Sequence, residues 1–452
     1  MKQDKSKFYG GLLGATLPFI TMIVMLITLT ITKHTGLKCF WTAGVAALCV
    51  TFLLARDKKW MSDVTVRSLT DTMFATTTII YILAGILSYM LRDSGLINGL
   101  LWMFNTLNID AKFLPVATFL ICVLISTACG TQGGTISTVT PIMFPLAIEL
   151  GCEPALMLGA ILSGAMFGDN LAPISDTTIA SSGAFHANVR DVVRSRIKYS
   201  VIAGGAAAIL FVILGVRTTS GVQDYVVDAS AAKTLIMLIV PLLMIFMMLR
   251  GADLVPVLLV CNMLSFALNI TMGFVPVSTM VDTTGPIVKG IEGMIGIIIF
   301  TVWIFIQNEF LKESGVLNTL VEKLDGISKS PVSAELISMV IIFVTIMMTG
   351  NGTASIVIAG PVVYELFKKF NIDRHRGANY LDGVACGSAA VLPWNSSVLI
   401  LYGLASSTNL LPDGFSPANF LIYSFHAMGL LVVYFVCAIS GLWRTQDAKN
   451  YN

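Results

Sequence analysis

Two aspartates seven residues apart, Asp169 and Asp176, stand on either side of Pro173 in the stretch Ser163–Gly183, SGAMFGDNLAPISDTTIASSG. The residues beside them, Asn170, Ser175, Thr177 and Thr178, carry neutral oxygens, and the first Lys or Arg downstream is Arg190, beyond the apolar run. A carboxylate without a basic partner at lipid depth is costly, and two chemistries discharge it: taking a proton or holding a cation. The two exclude one another. A carboxylate that alternates between them while facing each side of a membrane in turn exchanges cations for protons, with no catalytic step. Amide and hydroxyl oxygens complete the coordination of a hard cation such as Na⁺.

Blander roles exist for the same acids. Asp176 is suited to N-cap a half-helix starting at Thr177, a role compatible with ion binding. Asp169, between Gly168 and Asn170, reads as a functional carboxylate. Asp382 is expected in a salt bridge at the membrane interface, and Asp71 and Glu309 lie near span ends. The spacing of Asp169 and Asp176 leaves an aspartyl dyad open. The core otherwise has no Ser/His or metal constellation, so no enzyme is expected. The glycine-rich GTQGGT lacks the Lys-Ser/Thr of a phosphate loop. Eight cysteines form no CxxC, and the four histidines are scattered, which is no zinc pattern. No cofactor is expected beyond Na⁺ and H⁺ as transported or coupling ions, and nothing points to nucleic acid.

Composition supplies the elements that hold these groups. Of 452 residues, 56% are hydrophobic and 12% charged, with mean hydropathy +0.83; a soluble chain carries about twice that charge fraction. Apolar runs long enough for a bilayer core of roughly 30 Å recur from end to end. The chain reads as an all-α polytopic membrane protein.

It also repeats itself. Leu91–Leu101 (LRDSGLINGLL) and Leu311–Val321 (LKESGVLNTLV) align 220 residues apart, and the same offset sets Gly130 on Gly350, Pro141 on Pro361 and Pro173 on Pro393. One register through four matches implies a tandem duplication, residues 1–220 and 221–452. In the first half the expected spans are Tyr9–Thr32, Cys39–Ala55, Thr70–Leu91, Pro154–Ser182 and Tyr199–Val216, with a hairpin at Phe113–Leu150. In the second they are Thr234–Leu249, Leu254–Phe274, Met294–Phe310, Ala378–Leu404 and Phe420–Leu442, with a hairpin at Ser333–Phe370. The hairpin tips are rich in Gly, Ser and Thr, so both hairpins are read as re-entrant. Five crossings per half then invert the second repeat. With both termini cytoplasmic, 21 of the 28 Lys and Arg, including Arg190, Arg194, Arg196 and Lys198, fall on the inner side. The segments after Leu91 and Leu311 are amphipathic and expected to lie flat at opposite interfaces.

Four polar interruptions stand out: Ala128–Ser137, Gly168–Thr178, Gly350–Ser355 and Leu392–Ser397. Irregular backbone at membrane depth lines cavities, and broken helices there offer carbonyls to cations and N-termini to anions. The candidate ion- and substrate-binding residues are Asp169 and Asp176, the two metal-holding acids, with Asn170, Ser175, Thr177, Thr178, Thr131, Gln132, Thr135, Asn351, Thr353, Asn395, Ser396 and Ser397. Ala389 and Ser396 occupy the positions matching Asp169 and Asp176, so the acids belong to one repeat alone. No Lys or Arg is expected in the membrane core.

At these residues GDNLAPISDTT resembles the GDxxSPxSDTT signature of the NhaC-type sodium/proton antiporter family, within the ion-transporter superfamily. Ala172 stands where the signature has Ser and removes one hydroxyl. The continuation IASSGAFHANVRDVVRSRIKY is also similar, and the resemblance covers essentially the whole chain. It implies Na⁺/H⁺ antiport, or ion-coupled exchange of organic acids such as malate and lactate. It also implies inverted repeats, re-entrant hairpins, and a homodimer with an elevator-like transport domain (parts 113–216 and 333–442) moving against a scaffold (parts 9–107 and 234–325) in the cytoplasmic membrane. The alternative to antiport is Na⁺- or H⁺-coupled exchange or symport of a small organic anion or amino acid.

Overall fold

The computed structural model describes residues 7–32, 37–219, 228–316 and 328–447. Among these the chain is helical throughout, with two isolated β-bridges, Phe8 to Ala55 and Ile372 to Gln446. Among the described residues, eight helices are long and apolar enough to cross a membrane, nine if the bent pair Pro154–Leu171 and Asp176–Ala184 is one span. The protein is a multi-pass membrane protein. Large apolar side chains such as Leu13, Leu124 and Met263 point outward, the arrangement lipid rather than water favours.

The expected spans are found with shifted edges. Most are single helices, among them Gly11–Ile31, Thr72–Asp93, Leu254–Thr271 and Pro286–Glu313. The largest shift is the span expected at Tyr199–Val216, which is a continuous 30-residue helix, Val189–Thr218, capped by the Asn188 side chain on Arg190 N. The segment after Leu91 forms the amphipathic helix Leu96–Thr106; its counterpart from 317 to 327 lies outside the described residues. An additional helix, Lys58–Ser68, starts where Asp57 accepts from Lys59 N and Trp60 N.

Each hairpin is two helices joined by two residues. Leu114–Cys129 turns at Gly130–Thr131 into Gln132–Glu149, and Pro331–Thr349 turns at Gly350–Asn351 into Gly352–Lys369. Both glycines take left-handed backbone, φ +67° and +63°, which ends one helix without the penalty a side chain would impose. The next residue caps the returning arm: Thr131 accepts from Gly134 N and Asn351 from Ala354 N. The first arms, Ala111–Cys129 and Pro331–Thr349, are themselves long enough to span.

The two helix breaks follow from proline. Pro154–Leu171 stops at Ala172, which is extended before Pro173, and Asp176–Ala184 resumes at an angle of 44°. Arg374–Ala389 likewise stops before Pro393, and Ser396–Ser407 follows. The first broken helix packs along the first arm of the first hairpin, and Arg374–Ala389 packs between both arms of the second. Helix Thr72–Asp93 packs on Pro286–Glu313 and Leu254–Thr271.

Candidate functional site

Both hairpin tips and both helix breaks border one polar cavity of about 170 Å³. Its walls include Gly130, Thr131, Gln132 and Gly133 from the first tip, and Asn351, Gly352 and Thr353 from the second. The first break adds Asp169, Ser175, Asp176 and Thr177; the second adds Ala389, Asn395, Ser396 and Ser397. Among the described lining residues there are two carboxylates and no Lys, Arg or His.

Asp169 sits buried in the last turn before the first break. The Gln132 amide donates to its Oδ2 at 2.9 Å, while Gln132 Oε1 accepts from Ser397 Oγ at 2.8 Å. One side chain thus ties the first break to the second. Ser175 Oγ and Thr177 Oγ1 are 3.0 Å apart. Asn395 donates to Gly350 O at 3.0 Å and accepts from Ser397 N at 3.0 Å, which fastens the second break to its own hairpin tip. Four helices begin at the cavity, at Gln132, Asp176, Gly352 and Ser396, and their N–H ends favour negative charge there.

Three of the candidates lie elsewhere. Thr135 is buried in the hairpin arm and donates to Thr131 O. Asn170 turns away from the cavity, its Oδ1 accepting from Ser200 Oγ at 2.6 Å. Thr178 donates to Asp382 Oδ2 at 3.2 Å. Asp176 does not cap: Ser175 is the N-cap, and Asp176 is the first helical residue, exposed toward the cavity. Thr77 also lines the cavity. Its signal in the sequence is the run Thr76–Thr78 inside an apolar span.

One expectation is overturned. The interior does hold a basic residue: Arg196, counted above with the inner-side charges, is fully buried and paired with Asp382, which is also fully buried. Asp382 is therefore salt-bridged as expected, but inside the protein. The long helix starts ten residues before its apolar run, so Arg196 faces other helices. Its Nη1 donates to Asn170 O at 2.7 Å and to Thr178 Oγ1 at 2.9 Å, and its Nε to Asn379 Oδ1 at 2.9 Å. It staples the two sides of the first break from behind. Among the described residues Asp169 takes no part in an ion pair, and its hydrogen-bond partner Gln132 is neutral. A second buried ionic cluster joins Glu335 to Arg376 and Arg444.

A multi-pass helical protein whose interrupted helices converge on a polar cavity has the build of a secondary transporter. The model of the Na⁺/H⁺ antiporter family matches residues 11–216 and 226–439, and the chain belongs to that family. The resemblance carried by Gly168–Thr178 is borne out. Among curated relatives, the chain is 26% identical to the Na⁺/H⁺ antiporter NhaC of Alkalihalophilus pseudofirmus, over 70% of this chain and 74% of the relative. It is 24% identical to the malate-2H⁺/Na⁺-lactate antiporter of Bacillus subtilis, over 72% and 74%. It is 25% identical to the arginine/ornithine antiporter ArcD of Halobacterium salinarum, over 67% and 68%. These relatives are antiporters, and none is named as an enzyme.

Proposed function

We propose that this protein exchanges Na⁺ for H⁺, with both ions competing for Asp169. The observation that carries the reading is the cavity itself: a buried carboxylate at its wall, a second carboxylate at Asp176, and neutral oxygens in place of any lining Lys, Arg or His. Na⁺ bound at Asp169 would draw its other ligands from Ser175, Thr177, Thr131, Asn351, Thr353, Asn395, Ser396 and Ser397, all of which line the same space. Asn170 and Thr178 support the site from behind.

The second reading is coupled exchange or symport of a small organic anion or amino acid. It is favoured by the cavity volume, about 170 Å³, several times the roughly 30 Å³ share of a water molecule, and by the helix N-termini that open into it. The names of the malate/lactate and arginine/ornithine relatives agree with it.

For the architecture we infer two inverted repeats, 1–220 and 221–452, with re-entrant hairpins whose tips reach the midplane. In support, the Gly130–Thr131 and Gly350–Asn351 turns are built alike, 220 residues apart. The helices within 113–216 and 333–442 pack largely on one another, as do those within 9–107 and 234–325, in keeping with a transport part moving on a scaffold. A homodimer in the cytoplasmic membrane, both termini inside, completes the reading.

The test is Na⁺-driven proton movement in proteoliposomes, with labelled carboxylates and amino acids offered in parallel. Asp169→Asn should abolish Na⁺-dependent proton flux while the protein still inserts and elutes as wild type. Equal flux from mutant and wild type removes Asp169 from the mechanism. Flux that appears only with an organic solute present selects the second reading.

A further inference from the structure

Arg196 lies within one residue of the proposed ion carboxylate, since the carbonyl it holds belongs to Asn170. Its guanidinium is fully buried, yet Nη2 has no hydrogen-bond partner among the described residues. A buried N–H group left unpaired is expensive and calls for an explanation. The same Nη1 that holds the Asn170 carbonyl is ion-paired with Asp382 Oδ2, and Asp382 Oδ1 accepts from Cys386 Sγ at 3.3 Å. We propose that Asp382 is a positioning residue: it holds the Arg196 charge away from Asp169, so that the Asp169 carboxylate stays available to the transported cation. The proposal rests on the reading of Asp169 as the ion-binding carboxylate.

The charge inventory supports this. Arg196 and Asp382 are paired with each other, which leaves Asp169 as a buried carboxylate with no basic partner among the described residues. The other buried carboxylates have arginines of their own: Glu335 pairs with Arg376 and Arg444, and Asp447 with Arg374. Among the described buried carboxylates Asp169 alone is met by a neutral side chain, Gln132. Without Asp382, an uncompensated guanidinium with a free donor would sit behind the break, and Asp169 is the carboxylate left to receive it. An internal cation would then occupy the place of the transported one. An Arg–carboxylate pair out of water is strongly held once formed.

The experiment is labelling of Asp169 by a lipophilic carbodiimide, which reacts with membrane-embedded carboxyls in their protonated form, read by peptide mass spectrometry on purified full-length protein with and without Na⁺. Wild type should be labelled at Asp169. In Asp382→Asn labelling should fall by at least about tenfold, because a carboxylate held by arginine resists protonation. In the double variant R196Q/D382N, where the captured charge is gone as well, labelling should return to within about threefold of wild type. A purely structural pair predicts otherwise: folded D382N labelled like wild type overturns the proposal, and so does a folded double variant as unreactive as D382N. Wild type that resists labelling overturns it too. If D382N does not fold, the double variant decides, since wild-type labelling supports the proposal and its loss refutes it. The Na⁺ arm is separate. Na⁺ that fails to protect wild-type Asp169, while the mutant pattern holds, counts against sodium as the cargo and leaves the role of Asp382 standing.

Discussion

Gly168 precedes the buried acid and lies against the first hairpin. A Cβ built on it would stand 2.5 Å from Ser126 Cβ, 2.6 Å from Thr127 N and 2.6 Å from Val123 O. Two of those atoms are backbone, so no rotamer change relieves the overlap. Restoring ordinary contact requires the broken helix and the hairpin arm to part by ~0.9 Å, and overpacking of this kind costs about 1–3 kcal/mol. Asp169 is the next residue along. Its hydrogen bond to Gln132, 2.9 Å long, would be stretched beyond useful range. A misplacement of about 1 Å at a reacting group can cost on the order of a hundredfold in rate. Gly168→Ala is therefore expected to lower Na⁺-dependent proton flux in everted vesicles by at least tenfold (~1.4 kcal/mol) and to lower the Tm of the solubilised protein. Gly183→Ala serves as the control, because nothing lies within 4 Å of its added carbon. If the two variants match each other in flux and in Tm, the close approach does not position Asp169.

Two further outcomes are expected. Asp176 is exposed toward the cavity, so Asp176→Asn should raise the Na⁺ concentration for half-maximal rate about fivefold without abolishing flux, the effect of ~1 kcal/mol from a solvated charge; a Na⁺ titration reads it directly. Glu335→Gln leaves Arg376 and Arg444 facing a neutral group in the interior, and should destabilise the protein by about 3–5 kcal/mol, visible as a lower Tm and a smaller folded yield.

The hairpins and breaks were legible because their causes are local. Gly130 and Gly350 mark left-handed turns, Pro173 and Pro393 stop helices, and the polar tips leave little else for them to do than line a cavity. Arg196 was not legible. Its run, RSRIK, reads as an inner loop by hydropathy, and its burial depends on Asp382 and Asn379, far along the chain. Pairing at that distance leaves no periodic trace in the sequence. Asn170 and Thr178 fall outside the cavity lining for the same reason: their types suit a cation site, but Ser200 and Arg196 hold them. The helix Lys58–Ser68 was missed although Asp57 announces it, since its apolar content is too low to register as a span.

The turns at the hairpin tips contain no spare residues: one ends a helix and the next begins another. Neither tip therefore has slack from which to form a flap, and neither can swing open by uncoiling a loop. If Asp169 is reached from each side of the membrane in turn, as proposed, this build favours carrying a whole hairpin, with the helix break fastened to it, over the opening of a loop.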